Sequence, residues 1–278
     1  MSDKKLLYIT DFAYQAKGRR YHEEDLYLTG RLRDQFALVI SDPRSAVHFF
    51  DAVDGAVFRN AGPVANFERQ YQEYLRQAKE GKLRTYNSPD GRGDMLGKDY
   101  LLQLTGQGYP VIPTVDSVDH FDRLGTPTSG IFVVKSKTGA DSVGLEFLDE
   151  VGARASLKRQ AGSAIAQPKI DLLYEVSFYF VDREFQYALY APDISQRWEL
   201  EPYAASDADR LFAQQFIEWN SLSHGITRVD GCRAPDGTLL LVELEDLNPF
   251  LSIDRLDPAT RDRFVENFAR SIARSLQL

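Results

Sequence analysis

Three short apolar runs fall within the first sixty positions of the chain: Leu6-Leu7-Tyr8-Ile9, Phe36-Ala37-Leu38-Val39-Ile40 and Gly55-Ala56-Val57-Phe58. Each is bounded by polar or turn residues. Such runs suit the buried strands of a parallel sheet, although a piece of buried helix has the same signature. Between the first two, Glu23 to Leu32 sets Leu26, Leu28 and Leu32 among charges, which reads as a crossover helix. A second helix follows Pro63, with Phe67, Tyr71, Tyr74 and Leu75 at helical spacing and Gly81 near its stop. The order β-α-β-β-α predicts a small open α/β domain.

Beyond it, Tyr86-Asn87-Ser88-Pro89-Asp90-Gly91-Arg92-Gly93 is rich in turn residues and reads as a linker. A helix is expected from about Met95 to Gln107, and the prolines of Tyr109-Pro110-Val111-Ile112-Pro113-Thr114 leave an extended edge or connector. From Ile131 onward the reading is mostly strand: Ile131 to Lys135, a long hairpin from Tyr174 to Tyr190 turning at Asp182-Arg183, and a second from Thr227 to Glu245 turning near Pro235-Asp236-Gly237. Ser206 with Asp209 forms a capping box before one helix, and Asp257-Pro258 starts another through Phe264, Phe268, Ile272 and Leu276. Trp198, Trp219 and the Phe264/Phe268 pair read as core, and His22-Glu23-Glu24-Asp25 as a solvated helix start.

Length and charge bound the class. At 278 residues the chain is long enough for two domains, or one with lobes. Its 33 Lys+Arg against 41 Asp+Glu give a net charge of −8, so a polyphosphate backbone is repelled and nucleic acid is not an expected partner. No apolar run approaches a membrane span, and the start Met1-Ser2-Asp3-Lys4-Lys5 lacks signal-peptide features. The lone Cys232 excludes an intrachain disulfide and reads as a small core residue. His22, His48, His120 and His224 lack zinc-ligand spacing. A cytoplasmic α/β enzyme is the expectation.

The strand Leu239 to Asp246 carries the most chemistry. Alternation puts Leu240, Val242 and Leu244 on one face and Glu243 and Glu245 on the other. Across the hairpin, Arg228 and Asp230 also share a face. If the faces coincide, three carboxylates and an arginine converge, with Asn248 just beyond. Oxygen ligands of this kind suit Mg²⁺. A solvated charged face of a hairpin has the same pattern. Lys98 falls within the expected helix after the linker. Lys135 ends an apolar strand and leads into the small-residue stretch Ser136 to Gly144, a way to offer amides and one cation to phosphate; a flexible surface loop reads alike. Arg59 ends the third apolar run, where ligands meet an open α/β sheet, so it is a candidate for a substrate carboxylate or a plain surface arginine.

Taken in order, Lys98, Lys135 with its small-residue loop, Gln167-Pro168-Lys169-Ile170, Glu175-Val176-Ser177, Arg228-Val229-Asp230 and Glu243-Leu244-Glu245 resemble the ATP-grasp superfamily. The resemblance runs from about Arg59 to Ile253 and is nearest to the branch of prokaryotic glutathione synthetase, ribosomal-protein glutamate ligases and cycloserine synthetase. It implies an α+β fold with an α/β N-terminal domain (1–88), a central lobe (89–170) and a C-terminal lobe with the metal site (171–278), ATP lying between the lobes. It further implies that Lys98 and Lys135 contact ATP phosphates and that Lys137 to Gly144, Ser142 included, folds over them. Gln167 to Ile170 would form the hinge whose backbone reads adenine, and Glu175 would take the ribose hydroxyls. Asp230, Glu243 and Glu245 would hold Mg²⁺, Arg228 would stabilise the transferring phosphoryl group, and Arg197 would contact phosphate. The activity implied is ATP-dependent joining of a small carboxylate to an amine through an acyl phosphate; a kinase and a nucleotide-binding regulatory module remain alternatives. The resemblance is also compatible with a homodimer. Two departures stand out: Ala140 and Asp141 thin the glycines of the loop, and Asn248 offers a competing register for one metal ligand, although strand alternation favours Glu243 and Glu245.

Overall fold

The computed structural model describes residues 4–14, 21–59, 64–138 and 144–277, without the side chains of Tyr21 and Ala65. Its elements run β1 (Lys5–Ile9), α1 (Tyr21–Leu32), β2 (Ala37–Ser41), β3 (Gly55–Phe58), α2 (Glu68–Lys79), β4 (Thr85–Tyr86), α3 (Asp99–Gly106), β5 (Phe132–Ser136), β6 (Glu146–Leu148), α4 (Glu150–Arg159) and β7 (Ala164–Pro168). They continue as β8 (Tyr174–Val181), β9 (Glu184–Ala191), β10 (Glu201–Pro202), α5 (Asp207–Asn220), β11 (Ile226–Arg233), β12 (Leu239–Glu245) and α6 (Pro258–Leu276).

The three apolar runs do become parallel strands, in the sheet order β2-β1-β3-β4. Side chains alternate, so β1 feeds two cores: Leu6 and Tyr8 face α1 and α6, whereas Leu7 and Ile9 face α2. A small antiparallel sheet, β6-β5-β7, packs Phe132, Val134, Ala164 and Ala166 against α4. The third sheet, β10-β9-β8-β11-β12, is antiparallel and is covered on both faces. Val176, Phe178, Phe180 and Val229 bury one face against α3 and α5. On the other face Tyr179, Val181, Tyr187 and Leu189 meet α6 and the first sheet, and the polar side chains Glu175, Ser177, Arg228 and Asp230 share that side further along. The extended connector runs beside β12, with the Leu241 amide donating to the Pro110 carbonyl at 2.9 Å and the Ile112 amide to the Leu241 carbonyl at 3.1 Å.

The capping box at Ser206/Asp209 and the Asp257 cap with its N1 proline both form as the sequence implies. Several expectations need correction. The helix from Met95 to Gln107 is broken: Asp94–Leu96 is a short 3₁₀ turn, Gly97 takes a positive φ of 86°, and α3 starts after Lys98, which is its N-cap rather than an interior residue. Gly97 is needed there because a side chain resists that backbone conformation. Glu24 and Asp25 are buried, not solvated, and Trp198 is 46% exposed, not core. In β12 the alternation flips. A bulge lets Asp230 pair with Glu243 while Gly231 pairs with Leu241, leaving Val242 without a partner. As a result Leu239 and Leu241 join Leu244 in the core, whereas Leu240 and Val242, which strict alternation sets on the same face as Leu244, do not.

The bulge predicts unequal costs for two neighbouring truncations. Leu241→Ala should lower unfolding stability by about 2–5 kcal/mol in urea titration, whereas Val242→Ala should cost under about 1.5 kcal/mol. Equal costs would contradict the bulged register.

Candidate active site

The register that turns β12 inside out also aims its acids. Arg228 faces Glu245 and Asp230 faces Glu243 across the hairpin, while Ser177 of β8 lies opposite Asp230 on the other side. Cross-strand partners project to one side of a sheet, so the pattern brings the expected residues together. The Arg228 guanidinium donates Nε to Asp230 Oδ1 at 2.9 Å and Nη2 to Asp230 Oδ2 at 2.8 Å. Nη2 also reaches Glu245 Oε1, and Nη1 donates to the Phe250 carbonyl at 3.0 Å. Ser177 Oγ completes the shell of Asp230 at 2.6 Å. Glu243 is held by the Lys98 ammonium.

Burial sets the electrostatics. Desolvation raises the Glu245 carboxyl, and its neighbours Asp230 and Glu243 add to this against Arg228, leaving it at about 8. Burial opposes the charge of Glu243 too, but Lys98 and Lys135 outweigh it and hold that carboxyl low. Burial lowers the Lys135 ammonium to about 8; Lys98 and Arg197 push the same way and Glu243 opposes. Among the described residues Lys135 has no ion-pair partner. A buried ammonium with no ion-pair partner, answered only by the charge of Glu243 from further off, beside carboxyls whose burial disfavours their charge, is the imbalance an anionic ligand and a metal cation would jointly relieve.

Other expected residues group less tightly. Glu175 is raised by burial and pairs with Arg197 at 2.6 Å, so those two stand together. Lys137 is spent on Asp99 at 2.6 Å and Asp116 at 2.9 Å. Ser142 lies outside the described residues. Gln167 and Pro168 end β7, and the Gln167 side chain is fixed to Thr114 Oγ1 at 2.8 Å. The Lys169 amide donates to the Ile131 carbonyl at 2.9 Å, and among the described residues the Ile170 amide makes no such bond. Asn248 turns towards the first sheet, donating Nδ2 to the Arg59 carbonyl at 3.0 Å. Arg59 is 2% exposed, not a surface arginine: it pairs with Glu24 at 3.2 Å and donates to the Pro249 carbonyl at 2.8 Å. Cys232 is buried, its thiol pushed up to about 11 by desolvation, which leaves it inert.

Two acids that sequence reasoning missed hold the site in register. Asp246 accepts from the Gly93 amide at 2.8 Å and the Met95 amide at 2.9 Å, and Asp94 returns the bond from the Asp246 amide at 2.7 Å. A Cβ on Gly91 would fall 2.4 Å from Asp246 Oδ2. The glycines flanking Arg92 therefore mark close approach of this turn to β12, the one signal that was present in the sequence.

Among the described residues no three His, Cys, Asp or Glu side chains gather in a geometry that could hold a metal ion as they stand. The donor types nevertheless fit Mg²⁺: oxygen-only, part-buried, and with one carboxyl driven towards protonation by burial and its acidic neighbours. Arg228→Met should expose how much these acids depend on one counter-charge. Stability is expected to fall by about 3–5 kcal/mol, and Glu245→Leu in the same background should recover a good part of it. Additive losses would refute the shared role.

No family model matches the sequence, and no curated protein sequence matches it. Solved structures do match over nearly the whole chain. A D-cycloserine synthetase shares 20% identity with a TM-score of 0.74, covering 98% of this chain and 99% of its own. The D-alanine–D-alanine ligase from Bacillus anthracis, complexed with ATP, shares 12% identity with a TM-score of 0.64 over 99% of each chain. The macrocyclase MdnC, bound with the precursor peptide MdnA from Microcystis aeruginosa, shares 12% with a TM-score of 0.67, covering 97% of this chain and 98% of its own. At these identities the likeness fixes architecture, and the chain has the ATP-grasp fold.

Proposed function

We propose that the protein is an ATP-dependent carboxylate–amine ligase that forms an acyl phosphate on a small amino-acid-like or peptide-like acid and releases ADP and phosphate. The observation that carries this reading is the meeting of Lys98, Glu243, Arg228, Asp230 and Glu245, from three separate elements, beside a Lys135 that has no ion-pair partner among the described residues. The likeness to structures named as ligases supports it. The division at 1–88, 89–170 and 171–278 accompanies the reading, with nucleotide between the last two parts.

In this scheme the substrate carboxylate oxygen attacks the γ-phosphorus, and the bond to ADP breaks. The amine nitrogen then bonds to the acyl carbon, phosphate leaves, and the amine gives up a proton. Mg²⁺, held by Asp230, Glu243 and Glu245, with Asn248 as the alternative donor to Glu245, would neutralise phosphate charge. Lys98 would be released from Glu243 as that carboxylate takes the metal, and would turn to phosphate with Lys135. Arg228, steadied by the Phe250 carbonyl and freed in part as Asp230 and Glu245 take the metal, would meet charge developing on the transferring group. Glu175 would take the ribose hydroxyls once Arg197 swings to phosphate, and the Ile170 amide would meet adenine.

The direct test is ADP release from Mg-ATP against pooled amino acids and small carboxylic acids, with products followed by mass and Lys135→Ala as control. Panel-dependent ADP with a new mass equal to the substrates less water supports ligation. ADP with a phosphorylated product would mark a kinase instead, and tight ATP binding without turnover a regulatory module. A pH series adds a second test. Lys135 carries its charge below about 8 and loses it above. Affinity for ADP should therefore fall as pH rises through that value, by at most about tenfold per unit. Lys135→Arg stays charged and should flatten the dependence; an unchanged slope in that variant would remove Lys135 from phosphate binding.

A further inference from the structure

Beside the carboxylate cluster lies a groove of about 340 Å³, large enough for one amino-acid-sized molecule. Its walls come from distant parts of the chain: Glu23 and Tyr27 of α1, Trp198 from the segment after β9, Phe250 beyond β12, and Arg261 in the first turns of α6. Phe250, whose carbonyl Arg228 holds, is the wall residue that links the groove to the candidate reaction centre. Three aromatic side chains supply flat apolar surface, and Trp198 presents 46% of its area to solvent.

Most of the charged side chains in and around the groove already have partners within ion-pair distance. Glu24 is answered by Arg59 and by the Leu251 amide at 3.1 Å. Arg255 lies 3.2 Å from Asp254 and 3.6 Å from Glu199. Arg261 rests its guanidinium on the Tyr27 ring at 4.8 Å, and its Nε–H is buried with no acceptor. Among the described residues no carboxylate pairs with it. A guanidinium on the wall of an open groove with no carboxylate partner leaves its outer N–H groups for an acceptor brought by a ligand. The planar guanidinium matches the fork of a carboxylate. Its neighbouring rings match an aromatic side chain.

We propose that this groove seats the amine-bearing substrate, and that this substrate is an aromatic amino acid whose free carboxylate is held by Arg261. The inference rests on the ligase reading. It adds that the acceptor's carboxylate takes no part in the chemistry: its nitrogen forms the new bond to the acyl carbon, phosphate departs, and the product keeps a free carboxylate at this end.

Trp198 provides the probe, because the other tryptophan, Trp219, is only 7% exposed. The protein would be titrated with D- and L-phenylalanine, with phenylalaninamide, which lacks the carboxylate, and with alanine, which lacks the ring. One enantiomer of phenylalanine should quench the fluorescence saturably, and Trp198→Phe should abolish the signal. The amide and alanine should each bind about tenfold or more weakly, and Arg261→Gln should weaken phenylalanine about tenfold while leaving the amide unchanged. Arg261→Lys should recover part of the loss. Equal binding of phenylalanine and its amide by the wild type, equal phenylalanine binding by wild type and Arg261→Gln, or no saturable quenching would overturn the proposal. The wild-type ligand comparison needs no variant, so a folding defect in Arg261→Gln leaves the decision intact. ADP release separates the two readings: turnover driven equally well by a carboxylate-free amine sinks the groove assignment alone. Quenching by phenylalanine with no ADP from any pool sinks the ligase reading and leaves the carboxylate site standing.

Discussion

Arg228 is the residue around which the rest of the site is arranged. One guanidinium neutralises Asp230 and Glu245, fixes the Phe250 carbonyl, and through that carbonyl sets the path of the chain from β12 towards α6. Two carboxylates so close on a part-buried sheet face would otherwise repel, and one would have to protonate or leave. Glu245 shows the strain that remains, being lifted to about 8 with Arg228 in place. Lys98 on Glu243 and Arg197 on Glu175 have the same character: each cation occupies a carboxylate whose expected ligand is another group.

Much of this was legible from residue order. The β11/β12 hairpin could be read because Arg228 and Asp230, and Glu243 and Glu245, each lie two apart, and a turn marked by Pro235 and Gly237 leaves little freedom in register. The parallel strands, both main hairpins and both capped helices also follow from local periodicity and turn chemistry. Local signals of this kind survive folding because every neighbour reinforces them.

What sequence could not give was anything decided by distant partners. The bulge at Val242 depends on how β12 meets both β11 and the 109–114 connector, so strict alternation sets Leu240 and Val242 on the face of Leu244 that Leu239 and Leu241 in fact share. Glu24 and Asp25 look solvated because a charged helix start usually is. Arg59 and the Leu251 amide, which meet Glu24, and Tyr8, which meets Asp25, lie 17 to 227 residues away. Trp198 looks like core because tryptophan usually is. The segment from β6 to β7 carries no strong pattern, and its α4 is anchored by the Asp149 cap rather than by a broad apolar stripe. The Asp94/Asp246 interlock leaves only a spacing of glycines behind.

The joint core of β1, β4, β8, β9 and α6 has a bearing on how the chain is assembled. Leu276 packs so closely that a Cβ on Gly55 would meet its Cδ1 at 2.6 Å, and Phe264, Phe268 and Ile272 bury themselves against residues from the first sheet and from β8 and β9 alike. A sheet built from residues 5–86 thus cannot close one of its faces until residues 258–276 are made. Contacts of such long sequence separation form late, because the loop must be closed before they repay its entropy. During synthesis α1 alone can therefore cover Leu6, Tyr8 and Val57 until α6 arrives to complete that face.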